Sequence, residues 1–185
     1  MGTEESTGFE PATGDGPPTN EPAAARAASV RSAFEGLLQI RRLTGTGRPD
    51  PEAAPAPWEL NRPVRAVALV LERSGTTPSA VDPSGRRVSA GYRVSDGESA
   101  GSVRVEWTGP PGSGAAHDEE EALAGCASAL REAGWTVLLY RGPRRRRYLE
   151  VEPPSGLSGG APGHEAVLSD PCEMLDGPTA LRRRC

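Results

Sequence analysis

The chain has 185 residues, with 25 acidic and 21 basic side chains and a net charge of −4. Gly and Pro fill nearly a quarter of it, while Leu, Ile, Val and Phe total only 30 residues. That is too little apolar surface for the whole chain to offset its conformational entropy, so composition predicts a small core with unstructured flanks. A mildly acidic balance also argues against a protein that wraps nucleic acid. The longest apolar run, Ala66–Leu71, is far short of the ~20 residues of a membrane helix, so no membrane partner is expected.

Every basic residue is Arg, which makes an Arg run weaker evidence for anion binding than in a chain that also uses Lys. The N-terminus lacks the charged and apolar regions of a secretory leader. Cys126, Cys172 and Cys185 are an odd count and predict reduced thiols in a cytoplasmic protein.

Residues 1–21 are Glu, Thr, Gly and Pro with one Phe, a composition that predicts disorder. An amphipathic helix is expected over 22–43, its apolar face formed by Val30, Phe34, Leu37 and Leu38, with Arg41 on the same side. Residues 44–57 are Pro-rich and predict a linker. The helix face therefore has no obvious home and is a candidate partner-binding face.

The core is expected over 58–153. Residues 62–74 carry an apolar run that periodicity alone cannot divide between helix and strand. Asn61 as a candidate N-cap, Pro63 in the first turn and a closing Gly75 favour the helix. After a loop over 76–87, two alternating runs, Val88–Val94 and Ser102–Trp107, flank Asp96-Gly97 and predict a hairpin. Asp118 is the expected N-cap of a second helix, with Glu119–Glu121 facing the positive end of its dipole. Leu123, Cys126, Ala127 and Leu130 form the buried stripe of that helix, and Gly134 ends it. Trp135–Tyr140 and Tyr148–Glu152 predict a second hairpin. LERSG (71–75) matches LREAG (130–134), and VRVEW (103–107) resembles YLEVE (148–152), which suggests a repeated αββ unit. The fold class is α+β, a small single core ordered α-β-β-α-β-β over about 61–153, with a tethered N-terminal helix and disordered tails (1–21 and 154–185).

Chemistry-bearing patterns are few. Arg141 and Arg144, Arg145, Arg146 and Arg147, followed by Tyr148, cluster at the second hairpin. Guanidinium groups there could track phosphates while Tyr148 stacks on a base. The competing reading is a solvated hairpin tip whose charges protect a sheet edge. His117 and His164 stand apart, and the cysteine spacings fit no metal pattern. G-x-S-x-G occurs at 97–101 and 156–160, but the first lies between two expected strands and the second in the expected tail, not at the strand-to-helix turn a nucleophile elbow needs, and no phosphate-binding loop is present in the sequence. The expected sites are thus catalytic none, cofactor none and metal none. The leading function is a non-catalytic protein-interaction module with an unidentified protein partner. Nucleic-acid binding through the Arg-rich hairpin is the alternative, and an enzyme of unassigned class ranks last.

Overall fold

A computed structural model describes residues 8–143 and 146–154. Among the described residues there are four helices: α1 (Ala23–Thr44), α2 (Pro57–Asn61), α3 (Pro63–Arg73) and α4 (Ala115–Glu132). The described residues also form six strands, in chain order β1 (Ala80–Val81), β2 (Arg87–Ser89), β3 (Gly91–Asp96), β4 (Val103–Thr108), β5 (Thr136–Arg141) and β6 (Arg147–Glu152). The fold is α+β, and its main elements run α3-β3-β4-α4-β5-β6.

Residues 63–73 are a helix, as the capping signals predict, with Pro63 at its first position. Asn61 does not cap it. That residue ends α2, and Arg62 takes the cap position without a side-chain hydrogen bond. Helix α4 starts three residues ahead of the predicted Asp118 cap, behind Gly114 in a left-handed conformation at φ 78°. The expected strand 88–94 is interrupted at Ala90, and residues 80–81 of the expected loop pair with β2 as a separate two-stranded ribbon.

The main sheet is antiparallel throughout, in the order β3-β4-β6-β5. The two hairpins meet through their second strands, with Val103 opposite Val151 and Val105 opposite Leu149. This order is what two αββ units related by a pseudo-twofold axis would produce. One face of the sheet packs Tyr92, Val94, Val103, Val105, Val137, Leu149 and Val151 against α3 and α4. From the helices come Ala66, Val67, Val70, Leu71, Leu123, Cys126 and Leu130. The stripe Leu123–Cys126–Ala127–Leu130 is buried as the helical period requires.

The N-terminal third departs from its expected independence. Residues 8–21 carry too few apolar side chains to order themselves, yet residues 9–16 lie along the core and bond to it. The amide of Ala12 donates to Glu72, Tyr92 Oη donates to the Ala12 carbonyl, and Val94 N–H donates to the Thr13 carbonyl. Residues 44–57 are likewise folded against the core rather than free. The carbonyl of Ala53 sits so close to Gly134 that a Cβ there would approach within 2.0 Å, and Gly134 itself lies at φ 87°. The expected tail from 155 to 185, with Cys172, Cys185 and His164, falls outside the described residues, as do residues 1–7.

Candidate functional site

The candidate partner face of α1 is occupied by this chain. Val30 and Leu37 are 4% and 2% exposed and form a cluster with Leu69 of α3, flanked by Phe9, Phe34, Leu38 and Trp58. Phe34 also reaches the main core, and the Arg73 guanidinium lies 5.7 Å from the centre of its ring. The periodicity that marked the face was correct. Its occupant is α3, brought into place by a linker that packs, so the face is core and not a docking surface.

The Arg-rich hairpin is also partly satisfied from within. Arg146 Nε lies 2.7 Å from Glu119 Oε1, and Arg147 Nη2 lies 2.8 Å from Glu120 Oε2. The Arg147 amide donates to Glu119 Oε2 at 3.1 Å, and Arg146 Nη2 donates to the Trp107 carbonyl. Glu119 is only 4% exposed. The acidic start of α4 is therefore a seat for the hairpin as well as a complement to the helix dipole. Tyr148 is not free for a base: its ring stacks on Tyr140 with centroids 5.7 Å apart, and the Arg104 guanidinium lies 4.1 Å from its ring centre. Arg141 is exposed and enters no ion pair among the described residues. Arg144 and Arg145 fall outside the described residues.

The helix-free face of the sheet is acidic on balance. By register it carries Arg93 and Arg104 against Glu106, Glu150 and Glu152. Arg93 is held by Asp15 and Glu106, and Arg104 by Glu98. Burial alone would raise the Asp15 carboxyl, but hydrogen bonds and charge from Arg93 and Arg87 hold it below its ordinary value. Such a face offers phosphates little unpaired positive charge.

The two sheet edges differ sharply. At β3, residues 13 and 77–79 cover the edge: Ser79 N–H donates to the Tyr92 carbonyl, Tyr92 N–H to Thr77, and Val94 N–H to Thr13. At β5 no such cover exists among the described residues. Leu138, Leu139 and Tyr140 are 42%, 56% and 45% exposed, a run of three consecutive apolar side chains. Leu138 and Tyr140 lie on the helix-free face, and Leu139 on the opposite face at a corner the helices do not cover.

The hydrogen-bond phase of this edge can be read from its ends. Gly142 N–H donates to the Arg146 carbonyl across the hairpin. Alternation along an antiparallel pair then directs Leu138 and Tyr140 toward β6, and turns the N–H and C=O of Val137, Leu139 and Arg141 outward. The Val137 carbonyl accepts Arg131 Nη2 at 3.1 Å from that outer side, in agreement. Leu139 and Arg141 present their backbone groups to whatever lies alongside.

Sequence reading missed this edge because TVLLYR patterns like a buried strand. Only the sheet order reveals that it is terminal. Among the described residues no cluster of three or more metal-ligating side chains occurs, and no helix is long and apolar enough to cross a membrane. Cys126 is buried, and desolvation pushes its thiol up to about 11. No family model, curated protein or solved structure matches the chain.

Proposed function

We propose that this protein is a non-catalytic interaction module that binds a protein partner by strand addition along β5. The observation that carries the reading is the contrast between the edges: β3 is covered by the chain itself, while β5 exposes Leu138, Leu139 and Tyr140 beside outward-facing backbone groups. Natural sheets usually blunt such an edge with charge, proline, a bulge or a covering segment. Among the described residues β5 has none of these within Val137–Tyr140, and its register with β6 is unbroken. Main-chain hydrogen bonds would supply affinity, and alternate side chains specificity. The odd cysteine count and the buried thiol of Cys126 support a reducing, cytoplasmic setting.

The test is amide hydrogen exchange on the full chain, with and without an extended peptide of three Thr-Val repeats between polar, uncharged flanks. Slower exchange at Leu139 and Arg141 on peptide addition, lost in Leu139→Pro, is the expected result. Proline suits this position because the N–H it removes faces away from β6. A parallel mobility-shift titration uses duplex DNA, single-stranded DNA and RNA at low salt. Unchanged exchange together with a strongly salt-dependent shift would replace the reading with nucleic-acid binding.

A further inference from the structure

The chemistry of the β5 edge also narrows what can lie against it. The edge has an apolar centre and cations at its two ends. At the start of β5, Arg131 reaches out from α4 to the Val137 carbonyl. At its end stands Arg141, exposed and without an ion pair among the described residues. Its neighbours Arg146 and Arg147 are held by Glu119 and Glu120. The acids near the start do not cancel this pattern at the end: Glu132 accepts from Ser128, and Glu152 lies on the helix-free face beside Thr136.

We infer that the segment recognised by β5 is an extended apolar stretch with a carboxylate at the end that lies beside Arg141; this rests on the strand-addition reading above. A strand laid there alternates its side chains across the two faces. One set would meet Leu138 and Tyr140 and the other Leu139, each contact being of the cross-strand kind that stabilises sheets. The adjoining carboxylate would pair with a guanidinium that no acid among the described residues holds.

The same charges disfavour a second copy of the chain. In a twofold antiparallel pairing centred on Leu139, Arg141 of one copy falls beside Val137 of the other. That carbonyl already carries Arg131, so like charges meet at both ends of the pairing. Arg131 and Arg141 thus guard the edge against self-association while leaving it open to an acid-flanked strand.

The experiment uses the full chain, isotopically labelled, and two peptides: three Thr-Val repeats flanked on both sides by Asp-Asp, and the same repeats flanked by Lys-Lys. Amide shifts at Leu139 and Arg141 report binding, and sedimentation reports mass. The acidic peptide is expected to bind about fivefold more tightly at low salt, the order of one exposed ion pair. The preference should shrink with added salt and reverse in Arg141→Glu. Leu139→Pro and, separately, Leu139→Lys should weaken both peptides.

Four outcomes would overturn the inference. Equal affinity for the two peptides, still lost in Leu139→Pro, removes the charge rule and leaves strand addition standing. A species of twice the chain's 19.3 kDa with protected Leu139 and Arg141 amides makes a second copy the occupant. A single-chain mass with those amides already protected makes another segment of this chain the occupant. Freely exchanging amides that respond to neither peptide remove both the inference and the reading beneath it.

Discussion

Arg41 and Glu59 meet as a doubly bonded ion pair sealed from solvent, Nε to Oε1 and Nη2 to Oε2 at 2.7 Å each, with side chains 1% and 0% exposed. The pair joins α1 to α2. Arg41 Nη1 extends it by donating to the carbonyls of Glu52 and Ala133, and Glu59 Oε1 also accepts the Ala56 amide. One guanidinium thereby fixes α1, the 44–57 segment and the end of α4.

Removing one partner leaves the other charge buried without a counter-ion. Arg41→Met is therefore expected to cost about 3–5 kcal/mol in denaturant unfolding. The double variant Arg41→Met/Glu59→Leu should lose less than the single, because no charge remains stranded. It will not return to wild type, since the Ala133 carbonyl and Ala56 amide lose their partners. A double variant no more stable than the single would show that the pair's charges are not what holds this junction.

Asp15 ties the N-terminal segment to the ribbon and sheet, with Arg87 and Arg93 as partners. Its carboxyl is held below the ordinary carboxylate value in the folded chain. Its contribution is thus present above that value of about 4 and is lost as pH falls through the lower folded value. Acid unfolding of Asp15→Asn should show a weaker dependence on pH below about 4 than wild type. Because Asp15 is 41% exposed, the difference should also diminish in high salt. Identical acid profiles would remove this residue from the pH dependence.

Glu119 and Glu120 hold Arg146 and Arg147. The double variant Glu119→Gln/Glu120→Gln should loosen the turn, with faster amide exchange at residues 142 and 146–147, and should cost about 1–3 kcal/mol through the partners left unsatisfied at buried Glu119. It should also elute from a heparin column at higher salt than wild type, because the two guanidinium groups become available to anions. Unchanged elution would mean that the ion pairs are not what masks the hairpin.

Cys126 is fully buried and its thiol is pushed up to about 11 by desolvation. Since the thiolate is the nucleophile, iodoacetamide at pH 8 should leave it unmodified in the folded chain and label it in denaturant, as read by peptide mass mapping. Labelling under native conditions would show that α4 opens on the timescale of the reaction. Cys126→Ser should instead be destabilising, because it places a hydroxyl among apolar side chains.

Local pattern in the sequence determined the two core helices and the four strands of the main sheet. Val103, Val105 and Trp107 alternate with Arg104 and Glu106; Leu123, Cys126, Ala127 and Leu130 repeat on one helical face; Pro63, Gly75 and Gly134 punctuate the ends. These signals act over a few residues, so they survive without knowledge of the fold. Tertiary structure decided what the elements do. Phe9, Ala12 and Thr13 are ordered by partners 56 to 81 positions away, Arg65, Tyr92 and Val94 among them, and no composition rule encodes such distances. The face Val30–Leu38 was legible as apolar, but only the packed 44–57 segment turns it onto α3. Arg146 and Arg147 were legible as cations, but only the placement of α4 beside the hairpin gives them Glu119 and Glu120. TVLLYR was legible as a strand, and its edge position follows from the order β3-β4-β6-β5. Strand order is a property of long-range pairing, in which the same apolar strand is core at the centre of a sheet and a binding surface at its edge.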